Sequence, residues 1–343
     1  MTSKFKEIEV HLQQPNQLID FTVAIRTYNG EKCLPDLLEQ LRSQINPENI
    51  VWEIVIVDNN STDNTAKIIQ EYQSNWIENC SINYYFESRQ GASFARIRAM
   101  QEAKSPLVGF LDDDNIPAPD WVASAYTFGQ ANPQAGAYGS QIHGDFEVQP
   151  PENFERIAGF LPIIEREKQI CFNHGLSNRL GLFPPGAGLV IRKSAWDKNV
   201  PECLQLQGPI GDSLAAKGED IEALSYIKKA GWEIWYNPAM EIYHRIPKTR
   251  FERDYVLKFF RGVGLSRYWT RILKHEPWQR QFMIPVYIVN DFHKLILHWS
   301  KYHNVIATDV VAAGERELLL YSLLSPFYFW KNWIVKKCFD NKP

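Results

Sequence analysis

One segment, Leu107-Val108-Gly109-Phe110-Leu111-Asp112-Asp113-Asp114-Asn115, is a short apolar run that ends in three consecutive carboxylates. Such a run, preceded by Pro106, is typical of a strand that is buried on both faces of a parallel sheet. The carboxylates then lie at the carboxyl end of the strand, the edge where open α/β sheets bind ligands. Because like charges repel, a divalent cation is the expected partner, and Mg²⁺ commonly takes one or two carboxylates together with substrate phosphates. The alternative is an acidic turn after a strand, since Asp is frequent in turns.

The composition is that of an ordinary globular protein, with 343 residues, 45% hydrophobic and 22% charged. This length holds one large α/β domain, or one domain with an appendage. A net charge of -3 gives no electrostatic case for binding nucleic acid. The cysteines are widely scattered and show none of the paired spacings of metal-binding cysteines. The first 18 residues lack the pattern of a signal peptide. We therefore expect free thiols and a cytoplasmic protein; the five cysteines are Cys33, Cys80, Cys171, Cys203 and Cys338.

Strands and helices alternate before the acidic segment. The predicted strands are Phe21–Ile25, Trp52–Val57 and Asn83–Phe86, and the predicted helices run from Leu34 to about Gln44, around Ile68 to Trp76, and through Ala95 to Met100. This alternation indicates a doubly wound parallel sheet. A dinucleotide-binding domain is disfavoured, because the first strand leads into Arg26-Thr27-Tyr28-Asn29-Gly30 and not into a Gly-x-Gly-x-x-Gly turn. A phosphatase of the haloacid dehalogenase type would carry its acidic motif after the first strand, whereas here it follows the fourth.

Four segments in order resemble the nucleotide-binding half of a family 2 glycosyltransferase, which has the GT-A fold: Ile25 to Asn29, Val57 to Asp63, Gly91 to Arg96, and Phe110 to Asp114. The resemblance covers about residues 20–246. It implies a mostly parallel, doubly wound sheet with a Rossmann-like half, a nucleoside diphosphate sugar as donor, and Mg²⁺ or Mn²⁺ as cofactor. Where many relatives carry a second Asp, this chain has Asn59, so the nucleoside stays open, with UDP as the expectation.

The resemblance also assigns roles to single residues. The nucleotide-binding set would be Thr27, Tyr28, Asn29, Asp58, Asn60, Arg89, Gly91, Arg96 and Asp113, with Asp58 holding the base, the arginines facing ribose or phosphate, and Asp113 meeting ribose or donor sugar. The metal set would be Asp112, Asp114 and His244. A lone histidine is more often structural, so that alternative stays open for His244.

Two later segments are candidate acceptor and catalytic elements. A glycine-rich turn precedes a β-branched strand in residues 181–191, where Gly186, Ala187 and Gly188 allow a close approach of backbone to ligand; a plain turn is the alternative. Glu219 and Asp220 open a predicted helix, where acidic residues can simply complement the helix dipole. In the resembled family the second acid of such a pair is the catalytic base, which assigns that role to Asp220 and an acceptor contact to Glu219.

Between the acidic segment and the glycine-rich turn, a helix is predicted from Pro119 to Ala131, with Pro119 in its first turn, and a strand from Ala137 to His143. A further strand is predicted from Trp232 to Tyr236.

From Lys248 onward the chain no longer resembles the family. Residues 250–275, 282–303 and 307–337 are predicted helices that mix aromatic and basic residues, and none contains eighteen uninterrupted apolar residues. One interpretation is an amphipathic helix in the membrane interface, based on Phe327, Tyr328, Phe329, Trp330 and Trp333 with Lys331, Lys336 and Lys337. The other is a helical subdomain packed on the catalytic domain or on a second subunit. The predicted domains are thus residues 18–247 and a helical extension, residues 248–343.

The predicted function is that of a metal-dependent, inverting glycosyltransferase. It would move a sugar from a nucleoside diphosphate to a saccharide or lipid-linked acceptor in cell-surface or exopolysaccharide synthesis, at the inner face of the membrane. Two other classes remain open: a catalytically inactive carbohydrate-binding relative and a metal-dependent phosphohydrolase.

Overall fold

A computed structural model describes residues 18–45, 50–77, 80–175, 178, 182–208 and 216–340, without the side chains of 332–340. Gly181 and the side chains of Trp333, Lys336 and Lys337, which the sequence analysis named, lie outside this set, as does Cys338. The four other cysteines carry free thiols, as expected.

The first half of the chain builds the parallel part of one sheet. Its strands are β1 (Phe21–Thr27), β2 (Trp52–Asp58), β3 (Cys80–Phe86) and β4 (Leu107–Asp112), and the helices between them are α1 (Leu34–Arg42), α2 (Thr65–Ser74) and α3 (Ala92–Glu102). The spatial order is β3-β2-β1-β4, and every pair is parallel. The register sets Arg26 of β1 beside Asp112 of β4. The carboxyl ends of these strands therefore share one edge, as predicted.

The second half extends the sheet in mixed directions. Its elements are β5 (Asn115–Pro117), α4 (Trp121–Ala131), β6 (Ala135–Phe146), β7 (Ile170–Cys171), β8 (Val190–Arg192), α5 (Lys193–Asn199), α6 (Glu219–Lys229) and β9 (Glu233–Ile246). The order continues as β4-β8-β6-β9-β5, with β7 also on β9, and β6–β9 is parallel while the other new pairs are antiparallel.

The sheet is covered on both faces, which defines a doubly wound fold. One apolar layer joins β1 and β2 to the buried faces of α1, α2 and α4, and a second layer joins the opposite side chains of the strands to α3, α5 and α6. Gly109 in β4 makes the first layer possible, because a Cβ there would lie 2.7 Å from both Phe21 and Trp121. The mostly parallel sheet predicted from the sequence is confirmed.

Three details differ from the sequence prediction. Helix α4 begins at Trp121, so Pro119 precedes the helix instead of occupying its first turn. Strand β9 does not end at Tyr236 but continues to Ile246, because a register shift opposite Ser140 and Gln141 leaves Pro238 outside the ladder. Strand β5 was not predicted; it pairs Asn115 with His244.

The C-terminal extension is helical, as predicted, and packs on the rest of the chain. After a 3₁₀ turn (Lys248–Phe251) come α7 (Arg253–Ile272), α8 (Pro277–Tyr302) and α9 (Val310–Asp340). Val256 and Phe260 of α7 share a buried cluster with Val311 and Leu318 of α9 and with Ile157 from the first domain. Within the residues described, no helix has the length and apolarity that crossing a bilayer requires.

Candidate active site

A cavity of about 530 Å³ lies at the carboxyl edge of the parallel strands. Its walls come from the loops after β1 and β4, the start of α3, the glycine-rich turn, the start of α6, and helix α7. The predicted site residues that line it are Thr27, Tyr28, Arg96, Asp112, Asp113, Asp114, Gly186, Ala187, Glu219, Asp220 and His244. The fold thus brings together residues that are up to about 200 positions apart in the chain.

The three acidic residues after β4 each have a different partner. Asp112 Oδ1 accepts a bond from Arg26 at 2.5 Å, and Asp113 Oδ2 accepts one from the Thr27 hydroxyl at 2.7 Å. Burial and the nearby charge of Asp114 raise the pKa of Asp113 to about 7. Burial also opposes ionisation of Asp114, but His244 and then Arg250 outweigh it and hold the pKa of Asp114 below its ordinary value. Asp114 is therefore ionised at neutral pH.

Asp114 and His244 form the pair best suited to hold a divalent cation. His244 Nδ1 lies 3.3 Å from Asp114 Oδ1 and 3.2 Å from Asn115 Nδ2, and the histidine is 5% exposed. In the described ranges, no group of three or more His, Cys, Asp or Glu side chains is arranged to hold a metal alone. These two side chains would fit a cation whose coordination shell is completed by phosphate oxygens. Arg250 also bonds Asp114 Oδ2, at 3.1 Å.

The pKa values of Glu219 and Asp220, at the start of α6, are shifted in opposite directions. Arg26 donates to Glu219 Oε1 at 3.0 Å, and Arg96 lies 3.7 Å from the same oxygen. Against the effect of burial, these two cations hold the pKa of Glu219 below its ordinary value. Burial, followed by the charge of Glu219, raises the pKa of Asp220, whose Oδ1 accepts the Ile221 N–H at 2.8 Å. Asp220 is thus the acid with the stronger tendency to take up a proton.

Arg96 is a buried cation in the cavity wall that lacks hydrogen bonds. Its side chain is fully buried, and none of its guanidinium nitrogens has a hydrogen-bond partner among the described residues. The guanidinium lies 4.5 Å from the centre of the Phe110 ring. Burial, followed by repulsion from Arg26, lowers the pKa of Arg96 to about 10. A buried guanidinium with unused hydrogen-bond donors is suited to receive an anionic ligand.

Three other predicted residues shape the loops after β1 and β2 and do not line the cavity. Asn29 Oδ1 accepts the Thr62 N–H at 2.8 Å, and Asn60 has a left-handed backbone with φ 67°. Asp58 is 2% exposed, and its carboxylate accepts bonds from the Tyr84 hydroxyl and the Ser61 N–H. The members of the predicted nucleotide-binding set that line the cavity are therefore Thr27, Tyr28, Arg96 and Asp113.

Asn59 connects the loop after β2 to the loop after β3. Its Oδ1 accepts the Gly91 N–H at 2.7 Å, and its Nδ2 donates to the carbonyl oxygens of Arg89 and Glu87 at 2.8 and 3.3 Å. Gly91 has φ 143° and caps α3. Arg89 points away from the cavity and pairs with Glu87, whose carboxylate accepts two of its N–H groups at 3.0 Å.

The glycine-rich turn packs directly on the catalytic candidates. A Cβ at Gly186 would lie 2.7 Å from Arg96 Nη2 and 2.9 Å from Asp220 Oδ2. Gly188, which does not line the cavity, has φ 63° and packs against Ser140. Gly186 and Ala187 thus form cavity wall, while Gly188 sets the course of the backbone into β8.

Three cations and an apolar wall of the cavity were not predicted from the sequence. Arg26, Lys217 and Arg250 line the cavity, as do Phe259 and Val263 of α7. Lys217 lies 4.3 Å from the centre of the Phe259 ring, and burial followed by the charge of Arg250 lowers the pKa of this lysine to about 8. The available signal was the mixture of basic and aromatic residues after Lys248, which the sequence analysis connected only to membrane or subunit contacts.

Comparison with known proteins finds a family match in the first part of the chain. The family model described as Glycosyl transferase family 2 matches residues 22–185. TarS of Staphylococcus aureus, named a poly(ribitol-phosphate) beta-N-acetylglucosaminyltransferase, is 32% identical over 98 residues, which are 29% of this chain and 17% of TarS. TuaG of Bacillus subtilis is 34% identical over 94 residues, 27% of this chain and 35% of TuaG. The chain therefore matches well under half the length of these two relatives.

Two longer matches agree with this result. A glucosyl-dolichyl phosphate glucuronosyltransferase of Haloferax volcanii is 21% identical over 89% of this chain and 96% of its own length. The solved structure of the mannosyltransferase PcManGT from Pyrobaculum calidifontis superposes with a TM-score of 0.57 and 16% identity, over 96% of this chain and 92% of that one. The fold is GT-A, and residues 22–185 of the chain match the family 2 glycosyltransferases.

Proposed function

We propose that this protein transfers a sugar from a nucleoside diphosphate to a saccharide or lipid-linked acceptor, in the synthesis of a cell-surface or exported polysaccharide. The observation that carries the proposal is a single cavity that contains both the acidic cluster after β4 and the buried acid Asp220. An inactive carbohydrate-binding protein would not need both groups. Arg96 lies in the same wall and has no hydrogen-bond partner among the described residues, which favours an anionic donor substrate.

The donor diphosphate would lie between Asp114, His244 and Arg96. A divalent cation held by Asp112, Asp114 and His244 would supply Lewis-acid stabilisation of the leaving diphosphate. Arg26 and Arg250 now neutralise Asp112 and Asp114, so both guanidinium groups are near enough to re-pair with phosphate oxygens when a donor binds. The nucleoside would contact Thr27 and Tyr28 with the support of Asn29, Asp58, Asn60 and Gly91; Asp113 would meet ribose or donor sugar.

The acceptor would be activated by Asp220. An acceptor hydroxyl is a weak nucleophile until it loses its proton, and Oδ2 of Asp220 lies beside Gly186 in the cavity wall. As the hydroxyl attacks the anomeric carbon, its proton would pass to this carboxylate while the diphosphate leaves from the opposite face. This single displacement inverts the anomeric centre. Glu219 would hold Arg26 and Arg96 in place and meet the acceptor.

The names of the similar proteins give information on the donor and acceptor substrates. PcManGT was solved with GDP-mannose and Mn²⁺, and the Haloferax relative is named for a dolichyl phosphate-linked acceptor. TarS is named for N-acetylglucosamine transfer to poly(ribitol phosphate). These names support a nucleotide sugar, a divalent metal and a polymer or lipid-linked acceptor; UDP remains the nucleotide that we propose first.

The test is to measure nucleoside diphosphate release from a panel of UDP-, GDP- and dTDP-sugars, with and without EDTA. We expect release from one donor class, lost in EDTA and restored by Mn²⁺ or Mg²⁺. Release of inorganic phosphate instead would indicate a phosphohydrolase. Donor binding without any release, with a range of acceptors, would indicate a non-catalytic relative.

The metal assignment has its own test in Asp114→Ala. We expect this change to abolish transfer and to remove the part of donor affinity that depends on Mn²⁺, because a direct ligand is lost. Asp112→Ala should do nearly as much. Isothermal titration of donor with and without Mn²⁺ measures the effect, and metal-dependent binding equal to that of the parent protein would refute the assignment.

A further inference from the structure

Helix α8 buries two polar residues against the rest of the protein. They are Asp291 and His298. Arg271 of α7 donates to both carboxylate oxygens of Asp291, at 2.5 and 2.9 Å, and His298 Nε2 lies 3.3 Å from Glu315 of α9. The apolar residues on the same side of the helix, such as Ile284 and Leu295, are only half-buried, although a surface helix normally buries its most apolar side.

The opposite side of α8 is apolar and exposed. We define the α8 face as Trp278, Phe282, Val289, Phe292, Ile296 and Trp299, each between 49% and 67% exposed. At 100° per residue these six side chains fall within an arc of about 100° and extend over about 32 Å. The charged residues of the helix all lie outside this arc; they are Arg280, Asp291, Lys294 and Lys301. A continuous apolar face of this length marks an interaction surface.

A second copy of the chain does not fit this face well. The spacing of the six residues repeats as a heptad, which would suit a coiled coil, but four of them are Trp or Phe, where two-stranded coiled coils need Leu, Ile or Val. Pro285 lies in the middle of the same face. Residues 248–343 carry 16 Lys and Arg against 8 Asp and Glu, a net charge of +8, so pairing two extensions would bring like charges together.

An anionic surface is complementary to these features. Since the whole chain has a net charge of -3, the positive charge is concentrated in the extension. Lys294 and Lys301 are exposed one turn before and after Leu297, which is itself 53% exposed, and α9 adds exposed Phe327, Trp330 and Lys331. Tryptophan at both ends of the face and lysine elsewhere on the exposed surface of the same helix are residues that anchor helices at a bilayer surface. We propose that the α8 face docks this protein on a phospholipid bilayer that contains anionic lipid.

The docking surface is connected to the cavity through helix α7. This helix is joined to α8 by the Arg271–Asp291 pair, and it lines the cavity with Phe259 and Val263. A protein docked in this way would work at the surface where a lipid-linked acceptor is held. This consequence rests on the proposed function, whereas the docking itself does not.

Flotation with vesicles tests the docking. The intact chain is mixed with vesicles of phosphatidylcholine alone or of phosphatidylcholine and phosphatidylglycerol in equal parts, at low and high salt. We expect binding to the anionic vesicles that weakens with salt, and little binding to the neutral ones. In Phe282→Glu and Ile296→Glu, binding should fall by more than about tenfold, because an apolar contact is replaced by a charge that anionic lipid repels.

A matched control separates this effect from general changes in charge and folding. Ile45 is 67% exposed and lies outside the extension, so Ile45→Glu should bind as the parent does. Nucleoside diphosphate release with a water-soluble acceptor should be unchanged in all three variants, which distinguishes failure of docking from failure of the proposed activity. No binding by the intact chain, equal binding to neutral vesicles, or a dimer in light scattering that the α8 variants abolish would each overturn the proposal.

Discussion

At the scale of single residues, the site depends on neighbours in sequence whose pKa values are shifted in opposite directions. Glu219 and Asp220 are consecutive, yet Arg26 and Arg96 stabilise the charge of Glu219, while burial and that same charge raise the pKa of Asp220. A pair separated in this way provides one fixed anion and one proton acceptor. The division follows from helix geometry, because successive side chains of α6 point in different directions and only that of Glu219 lies within hydrogen-bonding distance of Arg26.

Asp220→Asn should therefore reduce turnover by about 10²- to 10⁴-fold, since it keeps the shape of the side chain and removes the proton acceptor. Donor affinity should change little. Steady-state kinetics together with titration of the donor measures both quantities. Parental turnover in this variant would leave Asp220 with a purely structural role at the start of α6.

The pH dependence of kcat/KM gives a second prediction for the same pair. An acid whose pKa is raised is protonated at a higher pH than an ordinary aspartate, so activity should be full above this pKa and should fall as the pH drops through it. In Glu219→Gln the neighbouring negative charge is gone, the pKa of Asp220 falls, and the acid limb of the profile should move to lower pH. A limb that stays in place would point to another group, of which Asp113, with a pKa of about 7, is the first candidate.

Asn59 shows why an amide, and not a carboxylate, fits its position. Its two N–H groups face the carbonyl oxygens of Glu87 and Arg89. In Asn59→Asp a carboxylate would face the same two oxygens, with loss of about 1–3 kcal/mol of stability. We expect a lower melting temperature and weaker donor binding, with Asn75→Asp, at an exposed helix end, as the control. Unchanged melting and donor affinity would mean that the loops after β2 and β3 do not depend on this amide.

At the scale of elements, the sequence predicts best where one strand or helix carries its own signal. Strands β1, β2 and β4 and helix α1 lie within two residues of their predicted limits because apolar runs and leucine spacing are local patterns. Strand β5 has only three residues and exists through its pairing with β9, and β9 passes Pro238 by means of a register shift. Both depend on partners about 100 residues away or more, which no local pattern records.

In the candidate site, too, residues that belong to a local motif were predicted, and residues that reach the site through distant packing were not. Motifs at strand ends predicted the acidic cluster, Thr27, Tyr28 and Asp220 as residues that would meet, and all line one cavity. Lys217 and Arg250 carry no motif and reach that cavity only through the packing of the extension. Arg89 lies in a predicted loop, but it forms an ion pair with Glu87 and does not line the cavity. This local pair was not predicted from the sequence.

The glycine-rich turn offers a prediction for an element. Gly186→Ala would place a Cβ within 3 Å of both Arg96 and Asp220, so these side chains must shift. We expect turnover to fall by about 10-fold or more, since displacements near 1 Å at catalytic groups have large effects, while the melting temperature changes little. Gly159→Ala is the matched control, because Gly159 also lines the cavity but has no atom within 4 Å of an added Cβ. Equal activity of both variants would show that the turn does not constrain Asp220.

At the scale of the whole molecule, the extension and the sheet form a continuous structure. Arg250 bonds Asp114, α7 closes one wall of the cavity, and Ile157 from the first domain is buried among α7 and α9. Truncation near residue 247 would thus remove part of the cavity as well as the proposed docking surface. The extension is for this reason better tested by a change at its packing interface than by deletion.

Gly264 lies at that interface, where α7 and α9 approach most closely. A Cβ at this position would be 2.8 Å from the Leu318 carbonyl oxygen and 3.1 Å from the Ser322 nitrogen, and both are backbone atoms that cannot rotate away. Alanine favours a helix over glycine by about 1 kcal/mol, yet Gly264→Ala should still lower the free energy of unfolding by about 1–3 kcal/mol, because overpacking forces the helices apart. Since α7 is also cavity wall, donor affinity should fall with stability. Asn290→Ala on the exposed side of α8 is the control, and there the gain in helix propensity meets no obstruction. Calorimetry and donor titration on both variants decide the matter: if Gly264→Ala lost stability but bound donor as the parent does, the wall formed by α7 would have no part in holding the donor.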